Sequence, residues 1–355
     1  MELIAERQVP QWAPGIAPGL TVIIPAYNEA EGIADTVRSL QEQTLPPLKI
    51  IVVDDCSSDG TGDAARAMGV HVIRPWENTG SKAGAQNYAM PLVETEFVMA
   101  VDADTILAPD AIEKLLPSLD DPEVAAACGF VLPRRVETVW ERGRYVEYML
   151  AFNFYKPIQD LYGKPLISSG CFSVYRAEHL RAAGGWSIRT MAEDMDLTWT
   201  FYEKGLKVRF VTEAVCYPIE PHNREFMSKQ LKRWSHGFIQ NVSCHWRDVL
   251  HIPYLRLVIA VAFWDALIAT ILYLCVLPLL AVLVDPRFLL GYAIDAPAML
   301  LPVIVGAGKR REVRKALASY PAFYVLRLVN SWFMLKAMWL ELVMRKPLLV
   351  YEKGH

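Results

Sequence analysis

No G-x-G-x-x-G follows the first apolar strand of this sequence, and no G-x-x-x-x-G-K-[ST] occurs anywhere in it. A dinucleotide fold or a P-loop ATPase would therefore lack its phosphate-binding turn. The cysteines Cys56, Cys128, Cys171, Cys216, Cys244 and Cys275 show no C-x-x-C spacing. They form no disulfide framework, as expected in a reducing compartment. A net charge of −3 leaves no basic footprint for a nucleic acid. The opening "MELIAERQVPQWAPG" is Pro-rich and has no apolar core, so no signal peptide is expected. The part before the long apolar runs is expected to stay in the cytosol.

Apolar residues are abundant instead. They make up 53% of 355 residues, and the surplus collects after about residue 255. The run Leu257 to Val284 carries one charge, Asp265, and exceeds the ~20 residues that span a bilayer. Phe288 to Ala307 is a second candidate span with one acid, Asp295. Phe323 to Met344 is a third, carrying Arg327, Lys336 and Glu341, and reads equally as an interfacial or bundle-buried helix. The basic cluster Lys309, Arg310, Arg311, Arg314 and Lys315 follows the second run. It fits a cytosolic turn after one helix out and one helix back. On the third segment Arg327, Asn330, Met334, Met338, Glu341 and Arg345 recur at three or four residues. Such a face lines a polar path through the membrane, joined by Asp265 and Asp295, or lies in water beside it.

Ahead of these runs, strands and helices alternate. "LTVIIPAYNE", "LKIIVVDDCSSDGT", "VHVIRP", "EFVMAVDAD" and "VAAACGFVL" read as strands. Helical patterns separate them, one with Ile33, Val37 and Leu40 on a single face, another closed by Gly69. This order predicts a mostly parallel α/β sheet with helices on both faces. Ligands of such sheets bind beyond the carboxyl ends of the strands. Two of those ends carry paired acids, Asp54 with Asp55 and Asp102 with Asp104.

Two close carboxylates repel unless something positive compensates them. A hard divalent cation does so, and Mg²⁺ typically takes one or two carboxylates plus substrate phosphates. Acids capping the next helix are the plainer alternative, and Asp104 suits that role. Lys82, on a Gly-flanked loop entering a helix, is a candidate phosphate ligand or an ordinary surface lysine. Glu193, Asp194 and Asp196 crowd the start of another helical pattern. The helix dipole favours acids there, and a general base for a sugar hydroxyl would also be a carboxylate. Met227, Leu231, Trp234, Phe238 and Val242 make one apolar stripe, with Arg224, Lys229, Lys232, Arg233 and Arg247 as basic residues. This predicts an amphipathic helix at the membrane surface. Arg233 can neutralise a leaving diphosphate, and the indole of Trp234 can stack on a sugar. The aromatics Tyr145, Tyr148, Phe152, Phe154 and Tyr155 belong to the core or to an acceptor groove.

In this order "PAYNE", "VDDCSSDGT", "GSKAGAQN", "DAD", "GCFSVYR", "AED" and "QLKRW" resemble the family 2 glycosyltransferases. The likeness is to the membrane-bound branch of cellulose, chitin and hyaluronan synthases, over roughly residues 20 to 250. It implies a GT-A-type fold and inverting transfer from a UDP-sugar. Ala26, Tyr27, Glu29 and Asp55 would line the uridine pocket. Lys82, Asp102 and Arg233 would meet the diphosphate, and Asp104 would ligate Mg²⁺ or Mn²⁺. Asp194, beside Glu193, would be the catalytic base. Gln230, Trp234, Gly170 and Cys171 would contact the acceptor. Inversion needs one base and no covalent intermediate, so the lack of a Ser-His-Asp arrangement is expected. The expected organisation is a tail to residue 19 and a catalytic domain over 20–222. An interface helix over 223–253, membrane helices over 254–348 and a tail over 349–355 complete it. Membrane lipids and a glycan or lipid acceptor are the expected partners. Extension of a glycan, transfer of one sugar to a polyprenyl phosphate or ceramide-like lipid, and non-catalytic nucleotide-sugar binding all share this reading. Ceramide glucosyltransferases resemble the Q-x-x-R-W stretch too, and no W-G-T-[RS]-type gating loop lies near the C-terminus.

Overall fold

The computed structural model describes residues 19–264, 268, 270–294 and 296–348. The chain begins β1 (Leu20–Ala26), α1 (Ile33–Gln41), β2 (Lys49–Asp54), α2 (Thr61–Ala67), β3 (His71–Ile73), α3 (Lys82–Ala89) and β4 (Phe97–Val101). It continues β5 (Ile106–Leu107), α4 (Ala111–Leu115), β6 (Val124–Val131), α5 (Val139–Leu150), α6 (Lys156–Asp160), β7 (Phe172–Arg176), α7 (Ala177–Ala182), α8 (Glu193–Glu203) and β8 (Lys207–Tyr217). Helices then take over: α9 (Arg224–His251), α10 (Pro253–Trp264), α11 (Leu277–Leu283), α12 (Ala296–Lys309) and α13 (Val313–Met338).

The strands form one sheet in the order β3-β2-β1-β4-β7-β6-β8-β5. The half made of β3, β2, β1 and β4 is parallel throughout. The other half is not. β7 runs antiparallel to both β4 and β6, and β5 runs antiparallel to β8. The expectation of a mostly parallel sheet thus needs correcting to a mixed one. The physical reason is connectivity: a βα unit forces a right-handed parallel return. β7 instead arrives through an irregular loop after α6, free to enter the gap between β4 and β6 reversed.

Alternation along the strands explains their near-continuous apolar sequence. Val22, Ile24, Val52, Met99 and Val101 face one core, and Ile23, Ile51, Val53, Val98 and Ala100 face the other. Both faces are covered, as buried parallel strands require. The face of α1 predicted from Ile33, Val37 and Leu40 is the face it buries.

Two expectations for the second half change. α9 does not present its apolar stripe outward. Met227 and Leu231 are buried with Leu326 of α13, and Phe238 packs in the core that holds α8. Long-range partners on both sides convert an apparently amphipathic surface helix into a bridge. The three expected spans are also not all present as such. Among the described residues, one helical stretch, Pro286–Lys309 with 24 residues, is long and apolar enough to cross a membrane by length and composition. The run Leu257 to Val284 falls partly outside the described residues, as do Asp265 and Asp295. Where described, it is helical, with a wider π-type turn over Leu272–Val276 and Pro278 directly after it in α11. A proline there removes a helical hydrogen bond to the preceding turn. α13 contains Phe323 but carries Arg327 and Lys336, which lower its apolar character.

Candidate active site

The carboxyl ends of β1, β2 and β4 open into a cavity of about 850 Å³. Every residue to which the family resemblance gives a role lines it. Ala26, Tyr27 and Glu29 follow β1, Asp55 follows β2, and Asp102 and Asp104 follow β4. Lys82 enters from α3, Gly170 and Cys171 from the loop before β7, and Glu193 and Asp194 from α8. Gln230, Arg233 and Trp234 close it from α9.

Lys82 stands at the centre. Its ammonium forms an ion pair with Asp102, donates to the Gly170 carbonyl at 3.0 Å and lies 3.8 Å from Glu193. Burial alone would lower the Lys82 pKa, but Asp102, Glu193 and Asp194 outweigh it and hold the group well above the usual lysine value. Burial pushes the Glu193 carboxyl up, against the pull of Lys82. Lys82 is therefore no ordinary surface lysine; it ties α3, β4 and α8 together.

Asp194 is held by backbone. Its Oδ2 accepts the Gly170 N–H at 2.8 Å, and its Oδ1 accepts the Met195 N–H at 2.9 Å. Each carboxylate oxygen still has a second lone pair for an incoming hydroxyl. A Cβ on Gly170 would fall 2.8 Å from Asp194 Oδ2 and 3.2 Å from Lys82 Nζ, so this position tolerates no side chain without moving the site. Asp196, the third acid of the cluster, is different. It is fully buried and bonds Arg189 at 2.9 and 2.6 Å and His245 at 2.6 Å. It anchors α9 rather than facing the cavity.

Asp55 holds the loop that delivers Lys82. Its two oxygens accept the backbone N–H and the hydroxyl of Thr79 at 2.8 and 2.9 Å. The companion acid Asp54 is fully committed to structure, bonding Arg74 at 2.6 Å and the Ser57 N–H at 3.0 Å. Asp104 accepts the Thr105 hydroxyl at 3.2 Å and lines the cavity. Among the described residues, no three His, Cys, Asp or Glu side chains converge as a metal cage. A magnesium-type ion does not require one, because substrate phosphates complete its shell. Asp104, with Asp102 two residues away, offers the hard oxygen donors that such an ion takes.

The sequence reading missed Arg144. It is fully buried, yet organises the α9 motif. It donates to Gln230 Oε1 at 2.5 Å, stacks its guanidinium 4.5 Å from the Trp234 ring and pairs with Glu147 and Glu220. Tyr148 reinforces this by donating to Glu220 at 2.7 Å. Burial raises the Glu220 pKa, with Arg144 opposing it. The signal in the sequence was one arginine within a helix rich in aromatics, and only tertiary contact gives it meaning. Of those aromatics, Tyr148 and Phe152 line the cavity, Tyr145 belongs to the core, and Phe154 and Tyr155 are exposed.

The polar face expected on α13 divides. Arg327, Asn330 and Met334 line the cavity. Glu341 instead accepts from His236 at 2.6 Å, Gln240 at 2.8 Å and the Leu348 N–H at 3.1 Å, which fastens the segment up to Leu348 to α9.

Residues 21–184 match glycosyl transferase family 2. The poly-beta-1,6-N-acetyl-D-glucosamine synthase of Staphylococcus aureus (strain COL) is 27% identical over 224 residues, covering 62% of this chain and 54% of that protein. The synthase of the same description from Staphylococcus epidermidis is 26% identical over the same length. The chain thus spans about half the length of the curated relatives it matches. The solved mannosyltransferase PcManGT from Pyrobaculum calidifontis, in complex with GDP-Man and Mn²⁺, superposes with a TM-score of 0.61. The alignment covers 91% of this chain and 88% of that one at 21% identity, and is a likeness of fold. The match to family 2 ends before α8 and α9, whose Glu193, Asp194 and Q-x-x-R-W residues line the same cavity.

Proposed function

We propose that this protein is an inverting glycosyltransferase that moves a sugar from a UDP-sugar to an acceptor at a membrane surface. One observation carries the reading. Lys82, Asp102, Asp104, Glu193, Asp194 and Arg233 arrive from four separate elements and line one cavity at the strand ends. In this reading Ala26, Tyr27, Glu29 and Asp55 receive the nucleotide base. Lys82 and Arg233 meet the diphosphate, and Asp104 holds Mg²⁺ or Mn²⁺, which would offset charge on the departing nucleotide. Asp194 accepts the proton of the acceptor hydroxyl as that oxygen bonds to the anomeric carbon. The carbon–oxygen bond to the diphosphate breaks in the same displacement. Glu193 shares the Lys82 charge with Asp102. Gly170, Cys171, Gln230 and Trp234 position the acceptor.

Membrane association rests on exposed apolar surface. Val282 is 83% exposed, Leu290 74% and Ile294 73%, and neighbouring leucines and valines share that exposure. An apolar patch of that extent marks an interaction surface, and the helical stretch Pro286–Lys309 gives it the length of a span. The catalytic domain is then cytosolic. UDP-N-acetylglucosamine is the donor to test first, because the relatives matched over 224 residues are synthases of a poly-N-acetylglucosamine. The product is an extended β-linked glycan. Single transfer to a lipid is the second reading, favoured by Arg327 and Asn330 carrying the cavity to the helical segment.

The test is nucleotide release by the full chain in nanodiscs, with Mg²⁺ or Mn²⁺ and a panel of UDP- and GDP-sugars. Products are sized by mass spectrometry. A ladder from one UDP-sugar supports chain extension, and a single adduct on an added lipid supports the second reading. Turnover of GDP-sugars alone would overturn the uridine assignment.

A further inference from the structure

Four basic side chains are almost fully buried among the described residues: Arg144, Lys156, His236 and His245. Three have acids. Arg144 pairs with Glu147 and Glu220, His236 with Glu341, and His245 with Asp196 and Glu203. Lys156 does not. It is 5% exposed and opens onto the cavity, yet its ammonium contacts only Ser169 Oγ at 2.7 Å, Cys128 Sγ at 3.6 Å and the rings of Phe152 and Phe210 at 4.7 and 5.6 Å.

The nearby acids are committed elsewhere. Asp160, one helical turn along α6, grips Arg209 through two bonds of 2.8 Å. Glu147 and Glu220 serve Arg144, and Asp102 and Glu193 serve Lys82. A buried cation without a counter-charge is costly, and aromatic faces compensate it only in part. An ammonium has three donors, of which one meets a hydroxyl and one a weak sulfur acceptor. The missing partner is an anion.

Its position says which substrate brings that anion. Ser169 immediately precedes Gly170, whose N–H holds Asp194 and whose carbonyl holds Lys82. The diphosphate side of the cavity already has Lys82 and Arg233. Lys156 comes from α6, on the wall that α5 and the loop before β7 build with Tyr148, Phe152 and Cys171. We propose that Lys156, with Ser169, binds an anionic group on the acceptor: a phosphate or a carboxylate that lies beside the attacking oxygen or itself supplies it. This deepens the glycosyltransferase reading and rests on it for the word acceptor.

The experiment uses the full chain in nanodiscs, as wild type, Lys156→Gln and Lys156→Arg. Four probes are titrated: a polyprenyl monophosphate, its uncharged polyprenol, and β-linked oligosaccharides ending in glucuronate or in glucose. UDP-N-acetylglucosamine binding is measured on the same samples. The proposal expects one charged probe to bind at least about tenfold tighter than its neutral counterpart. Lys156→Gln should abolish that preference and Lys156→Arg keep it, with sugar-nucleotide affinity unchanged in both. Preference for the phosphate identifies a lipid phosphate, and preference for glucuronate an acidic glycan. Equal binding of charged and neutral probes by the wild type overturns the proposal, as does a preference that survives Lys156→Gln. If Lys156→Gln does not fold, Ser169→Ala takes its place and should weaken the preference. A wild type that shows the preference but binds no sugar nucleotide would retire the glycosyltransferase reading and leave the anion site standing.

Discussion

The sheet domain and the helices after Pro253 use similar residues in opposite ways. In the sheet, Val22, Ile51, Val52 and Val98 are wholly buried, and apart from Arg209 and Glu213 of β8 the charged residues sit at strand ends. After Pro253, Val282, Leu283, Leu289 and Leu290 face outward, while Tyr273, Leu277 and Val303 turn inward. The first arrangement keeps apolar surface from water within one chain. The second leaves it exposed. The two regions meet at α9, whose Gln230, Arg233 and Trp234 close a cavity that the strands open. In the proposed function, a helix that packs on both sides would bring the chemistry to the border of this exposed apolar surface.

The sharpest way to break this contrast is to put the same charge in both regions. Val52→Asp buries a lone carboxylate in the sheet core, costs several kcal/mol and should abolish folding, read as loss of cooperative thermal unfolding. Val282→Asp should leave the catalytic domain folded and instead weaken recovery in the membrane fraction. Equal unfolding by both would show that the exposed leucines and valines are core after all.

Next in size is the joint itself. Arg144→Met leaves Glu220 buried without its counter-charge and frees Gln230 and Trp234. A loss of about 3–5 kcal/mol is expected, together with weakened acceptor use. A variant of wild-type stability would mean that Arg144 does not organise α9.

A smaller effect should appear with pH. Burial would lower the His245 pKa, but its hydrogen bonds to Asp196 and Glu203 outweigh this and carry it up to about 9. That stabilisation is complete below the ordinary histidine value near 6.5 and is lost as pH rises through about 9. Burial raises Asp196, but His245 and Arg189 outweigh it and bring the carboxyl down to about 2. Its contribution is complete above the ordinary value of 3.8 and fades as pH falls through 2. Thermal stability attributable to this anchor should therefore hold from about pH 4 to 6.5 and decline toward pH 9. His245→Gln should flatten the alkaline limb, and an unchanged limb would place the titration elsewhere.

The smallest change tests the crossing of α9 over α8. A Cβ on Gly237 would lie 2.7 Å from the Ala192 Cβ, next to Glu193 and Asp194. Gly237→Ala should lower turnover severalfold through displaced carboxylates while sugar-nucleotide binding persists. Unchanged turnover would show that the crossing has slack.

Much of the site was legible in the sequence because strand ends are local features. The acids after β2 and β4 follow short apolar runs, and a parallel half-sheet gathers such ends on one rim. The order of the motifs then brought Lys82, Gly170 and Asp194 to that rim. What escaped was settled by contacts between distant segments. Arg144 and Glu220 are 76 residues apart in the chain and meet only in the core. The reversal of β7, the burial of both sides of α9 and the division of roles between Asp194 and Asp196 have the same origin. Periodicity shows which face of a helix is apolar, and not what covers it.

The central claim is that Asp194 is the base of a sugar transfer in this cavity. The direct measurement compares wild type with Asp194→Asn in nanodiscs, following UDP release from UDP-N-acetylglucosamine alongside equilibrium UDP binding. The account predicts a fall in turnover of about 10²–10⁴-fold with UDP affinity nearly unchanged. Near-wild-type turnover by Asp194→Asn would contradict it.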